Sequence, residues 1–245
     1  MIHYHGTPIG GSRDNAARFL VSRHALVPFK HQEDLPAVME FCQSFVLDNS
    51  AFSYWKTGET LDVAAYAKWV KTLEHHPSLD WCLIPDKIDG DEKENMRMVQ
   101  DWRNLCLKVK SVPVWHLHES TKYLSWLCNT FDTVALGSSG EWAHPGSKSW
   151  WVRIGEAMDA ICSPEGKPKA KLHGLRMLDP QIFRHLPLSS ADSTNAAVNS
   201  GSLKRFGMYT PPTSAQRAAV IADRIEQYNS AQVWNAGFTQ DDLWT

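Results

Sequence analysis

Three aspartates close short strand-like runs: Asp48 ends "FVLD", Asp86 follows Pro85 in "CLIPD", and Asp192 ends "LPLSSAD". A carboxylate at the end of a buried strand sits at the mouth of a sheet, where α/β enzymes keep their chemistry. Paired carboxylates suit glycosidic chemistry, in which one attacks the anomeric carbon and the other handles protons. Asp48 and Asp192 are the expected pair, and Asp86 is a third candidate. Asp89 and Asp91, which follow Asp86 in a loop, are expected to cap the next helix.

Histidines form a second pattern. His116 and His118 in "VPVWHLHES" are two residues apart, so on a strand they share a face, and His3 and His5 in "HYH" repeat the spacing. Such pairs can hold a metal; a polar recognition role for His118 is the other reading, and no metal ligand is assigned. "VALGSSGEW" ends a run in Gly137 and Ser138, where a missing side chain lets a ligand approach the backbone closely. It matches neither a P-loop nor a dinucleotide fingerprint, so no nucleotide cofactor is indicated.

These residues need a frame. Apolar runs read as strands at Ile2–His5, Ala25–Phe29, Phe45–Asp48, Trp81–Pro85, Val112–His118, Thr133–Gly137, Lys171–Leu175 and Leu188–Ala191. Amphipathic stretches at 62–75, 91–107, 120–130, 149–162 and about 213–230 read as helices, with Asp62 and Ser120 as N-caps of two of them. Eight strands alternating with helices predict one α/β domain over 1–245, an irregular (β/α)8 TIM-type barrel, with a doubly wound sheet as the structural alternative. In the barrel every reactive position above meets at one mouth.

The 245-residue chain carries a net charge of −2, which excludes a protein that coats nucleic acid through a global basic field. Residues 144–205 nevertheless hold nine Lys/Arg against five Asp/Glu. That segment is read as a candidate phosphate-backbone track beside Asp192, with Lys204 and Arg205 holding the backbone. Five scattered cysteines and the lack of a CxxC pair suit a reduced, cytoplasmic chain without a structural zinc site. The first residues lack signal-peptide features, and no apolar run is long enough to span a membrane.

Taken in order, "LDNSAFS", "IPDKIDGD", "VWHLHE", "ALGSSGEW", "LHGLRML" and "SADST" resemble the tRNA-guanine transglycosylase superfamily, closest to its compact bacterial and phage branch of 7-deazaguanine DNA transglycosylases. The resemblance implies exchange of guanine in DNA, less so tRNA, for a 7-deazaguanine base such as preQ0. Asp192 would be the nucleophile of a covalent sugar intermediate and Asp48 the acid/base. Phe52 would stack on the base, Asp86 read its edge, Gly137 and Ser138 contact it through the backbone, His118 read it, and Met177 pack on its other face. No cofactor would be needed, and a phage-encoded enzyme would work in the bacterial host cytoplasm. "DNSA" replaces the family's glycine pair, and the zinc subdomain of the tRNA enzymes has no counterpart. The alternatives are a metal-dependent hydrolase using His3, His5, His116 and His118, and a non-catalytic nucleic-acid-binding barrel.

Overall fold

A computed structural model describes residues 1–7 and 18–235, without the side chain of Arg205. Nine strands, β1 (Ile2–Gly6), β2 (His24–Pro28), β3 (Ser44–Asp48), β4 (Leu79–Leu83), β5 (Ser111–Val112), β6 (Val114–His116), β7 (Thr133–Gly137), β8 (Lys171–Gly174) and β9 (Ser190–Ser193), are joined in the order β5-β4-β3-β2-β1-β9-β8-β7-β6. Every pairing is parallel. With helices between the strands, this is the expected TIM-type α/β barrel.

Eight expected strands become nine because Pro113 divides the expected run 112–118. Proline has no N–H to give a ladder. The residues before it pair with β4 and those after it with β7, while the Pro113 carbonyl accepts the Ala135 N–H at 2.9 Å. The two ends of the sheet order are therefore one continuous segment, 111–116, and that segment closes the ring. Leu117 and His118 lie beyond the strand.

The interior of the barrel is a small cluster that includes Tyr4, Leu26, Val46, Trp81, Leu83 and Val114. A larger apolar layer lies between the strands and the helices. Helices α1 (Leu35–Phe41), α2 (Ala51–Thr57), α3 (Val63–Leu73), α4 (Glu92–Asn104), α5 (Thr121–Thr130), α6 (Lys148–Ile161), α7 (Pro180–Phe183), α8 (Asn195–Asn199) and α9 (Ser214–Glu226) follow the expected stretches where these were assigned. Asp62 accepts from the Ala65 N–H and Ser120 from that of Tyr123, as N-caps do. Asp91 and Glu94 form a reciprocal capping box on α4. Trp102 is buried in the core, and Trp69 and Trp126 pack against it. Among the described residues no helix is long and apolar enough to cross a membrane.

β9 starts two residues later than expected. Leu186 and Leu188 are buried in the outer layer ahead of it, and the strand itself is polar. Asp192 thus stands within β9, opposite Tyr4 of β1, instead of following the strand.

Candidate active site

A cavity of about 470 Å³ opens at the C-terminal ends of the strands, with Asp48, Asp86, His116, Arg176 and Asp192 in its wall. β3 delivers Asp48. Directly after it Ser50 takes a left-handed conformation, φ 63°, and its Oγ accepts the Lys30 N–H at 3.0 Å. This turn sends the chain from β3 into α2 and leaves Asp48 in the cavity wall. Burial pushes Asp48 up to about 7, and the charge of Asp192 adds to that shift.

Asn49 carries a role that the sequence reading did not assign. Its Oδ1 accepts the Ala51 N–H at 2.7 Å, and its Nδ2 donates to the Ile84 carbonyl at 2.8 Å and to Asp86 Oδ1 at 2.7 Å. The other oxygen of Asp86 lies 2.8 Å from His116 Nε2. Both Asp86 oxygens are thus engaged by the protein, and Asp86 orients the imidazole. Burial depresses His116, but the hydrogen bond and charge of Asp86, helped by Glu119, outweigh it and leave the net shift upward. Glu119 Oε2 accepts the His116 backbone N–H at 2.7 Å, and Asn95 donates to Oε1 at 2.8 Å.

Asp192 is set by β8 and the turn after it. His173 Nε2 lies 3.3 Å from Asp192 Oδ1, and His173 Nδ1 lies 2.9 Å from Ser190 Oγ. The Arg176 N–H donates to the same Asp192 oxygen at 3.1 Å, from a residue held at φ 59°. The Arg176 guanidinium donates to the Ser138 carbonyl at 2.9 Å and lies 4.2 Å from the centre of the Phe52 ring. His173 and Arg176 both sit in "LHGLRML", yet their bearing on Asp192 depends on β8 adjoining β9, which spacing does not reveal. Asn49 had a local signal, since an Asn two residues before a helix start is a common turn former.

The expected site residues divide. Asp48, Phe52, Asp86, Gly137, Ser138 and Asp192 line the cavity. Gly137 is required there for packing, because a Cβ would fall 2.9 Å from His116 Nδ1. Ser138 spends its carbonyl on Arg176, and its hydroxyl accepts from Trp150 Nε1 at 2.9 Å. His118 is spent elsewhere: its Nδ1 meets Ser139 Oγ at 2.8 Å and its Nε2 the Gly90 carbonyl at 2.9 Å, so it clasps two loops together. Met177 is fully buried and fills the space that the missing Gly174 side chain leaves. Lys204 is exposed on the turn Leu203–Phe206, and the side chain of Arg205 lies outside the described residues.

The two histidine pairs point to opposite sides of the sheet. His3 meets the Tyr228 carbonyl and His5 meets Glu226, both on the helix side, whereas His116 faces the cavity. Among the described residues no three His, Cys, Asp or Glu side chains stand together as a metal-binding group. This donor set does not fit the metal-dependent hydrolase. Nor does the basic segment form one track beside Asp192, because Lys169 and Lys171 lie before and at the start of β8, at the far end of the barrel.

No family model and no curated protein matches the chain. Solved structures do. One, described as a "putative fructose-1,6-biphosphate aldolase" from Coccidioides immitis, has a TM-score of 0.54 at 11% identity and covers 92% of this chain and 88% of its own. Another, the YdjI aldolase of Escherichia coli, has a TM-score of 0.51 at 10% identity and covers 92% and 89%. At such identities the likeness shows the barrel fold alone. These neighbours are aldolases, which overturns the expected membership of the transglycosylase superfamily, with its base-exchange activity and pentosyltransferase class. The site contains physical reasons for the correction. Arg176 covers a face of the ring expected to stack on a base, Met177 is sealed in the core, and Asp86 is saturated by Asn49 and His116.

Proposed function

We propose that the chain is an enzyme of proton-transfer chemistry, a lyase of the aldol type acting on a small, oxygen-rich carbonyl compound in the barrel mouth. The observation that carries this reading is Asp48, a carboxyl group that burial pushes up to about 7 in a cavity whose wall also carries Arg176. A group with a pKa near the working pH serves as both base and acid. In the cleavage direction ionised Asp48 takes the proton of the β-hydroxyl. The carbon–carbon bond breaks and its electron pair passes to the carbonyl oxygen as an enolate. Arg176 stabilises that oxygen through donors not given to Ser138, and protonated Asp48 returns the proton to the enolate carbon. Asp192 keeps Asp48 protonatable, and Asn49 with Asp86 and His116 holds the wall next to it. The aldolase neighbours lend support at the level of the barrel.

The test is proton exchange in heavy water, followed by NMR, with a panel of hydroxy-ketones, 2-keto acids and their phosphate esters. Wild-type protein is expected to exchange the proton next to the carbonyl of at least one compound and to cleave the matching aldol. Asp48→Asn should lose about 10²–10⁴-fold in rate. Absence of exchange and cleavage across the panel would overturn the reading, as would an Asp48→Asn protein with full activity.

A further inference from the structure

At the opposite end of the barrel a second hollow, of about 570 Å³, lies where the strands begin. Its wall carries Lys110, next to β5, Lys169 and Lys171 around the start of β8, and Asp132, next to β7. Lys110 is anchored by donating to Thr133 Oγ1 at 2.7 Å. Among the described residues none of the three ammonium groups forms an ion pair; the paired lysines are Lys30 and Lys87. Like charges gathered with too few counter-charges cost energy unless an anion joins them. The strain is visible at Lys110, which burial, then the charge of Lys171, pulls below its ordinary value, against the partial offsets of Asp132 and Asp80.

Three ammonium groups and one carboxylate leave an excess of two positive charges. That balance favours a ligand bringing at least two negative charges. Lysine, a compact point charge with three donors, suits tetrahedral oxyanions. The excess basic charge of residues 144–205 has no place in the mouth apart from Arg176, and Lys169 and Lys171 give part of it a location here.

We propose that this hollow is a binding site for a small phosphate-bearing molecule, gripped by Lys110, Lys169 and Lys171. It is separate from the cavity at the mouth, and the assignment is independent of the aldol reading. The ligand reaches it from the open end of the barrel without passing the catalytic groups.

The experiment is calorimetric titration of the whole protein with pyrophosphate and with inorganic phosphate, at low and at physiological salt. Pyrophosphate is expected to bind with a Kd below about 1 mM at low salt and to weaken as salt rises. A Lys110→Gln, Lys171→Gln protein should bind at least about tenfold more weakly, which is about 1.4 kcal/mol, with an unchanged thermal melt. Lys204→Gln, altering a lysine elsewhere, should bind as the wild type does. Failure of the wild type to bind, or equal binding by the double variant, would overturn the site and mark any uptake as diffuse ionic association. A single-stranded oligonucleotide that binds more tightly than pyrophosphate and is lost in the same double variant would overturn the small-molecule assignment in favour of a nucleic-acid surface.

Discussion

The two ends of the barrel each bear an acidic side chain close to the sheet, and they treat it in opposite ways. At the base, Asp80 accepts from the Tyr4 hydroxyl at 2.7 Å and from the Ser44 hydroxyl. Its charge is consumed in fastening β1, β3 and β4 together, and the Tyr4 phenol is pushed well above its ordinary range by burial and by Asp80. At the mouth, Asp48 is lowered only by backbone N–H groups of Ser50 and Asn49, and burial with Asp192 overrides them. One end uses its carboxylate as a structural clasp. The other holds a carboxyl group near the midpoint of its titration, which costs stability and supplies a proton donor and acceptor.

That contrast can be broken most forcefully at Asp48. Besides the rate loss given above, Asp48→Asn should stabilise the fold at pH 8 by about 2–4 kcal/mol. The sign follows from the upward shift. The ionised group costs nothing below its unfolded value of 3.8, and the cost grows until the pH passes about 7. Denaturant melts at pH 4 and pH 8 check this, and a variant less stable than wild type at pH 8 would contradict it.

Tyr4→Phe probes the base. It leaves Asp80 with one hydroxyl donor and should destabilise the fold by about 1–3 kcal/mol, while initial rates stay at the wild-type level. A comparable cost is expected for Gly137→Ala, which drives a methyl group to within 2.9 Å of the His116 ring; here activity should fall together with stability. The smallest effect distinguishes the two causes acting on Asp48. In Asp192→Asn the ascending limb of the pH–rate profile should move to lower pH, but only part of the way, because burial is the larger cause. A limb that stays in place would assign the shift to burial alone.

Much of the frame was readable from the chain itself. Apolar runs ending in turn residues located most of the strands because their central residues are buried on both faces, and strand-ending aspartates marked the mouth. The division at Pro113 follows from the missing N–H of proline, a cue already present in "VPVW". The displaced start of β9 was harder to see, since its strand is polar and the apolar residues before it belong to the outer layer. Asn49, His173 and Arg176 gained their importance from neighbours 37, 19 and 16 positions away in sequence, and such pairings depend on the order of strands around the ring. The ordered short motifs that resembled a transglycosylase share a cause with the aldolase likeness: a parallel barrel places polar and glycine residues after successive strands whatever reaction it serves.

The closure at Pro113 has a mechanical consequence. Asp86 follows β4, on one side of the seam, and His116 ends β6, on the other, so their 2.8 Å contact spans the joint where the ring is fastened. The folded-state value of His116 is raised above 6.5, so the stabilisation it provides is complete below 6.5 and is lost as pH climbs through the raised value. The barrel therefore carries a latch that a proton tightens: in mildly acidic solution the Asp86–His116 joint at the mouth is an ion pair, and in alkaline solution it falls back to a neutral contact while His118 and Asn95 still bridge the same seam.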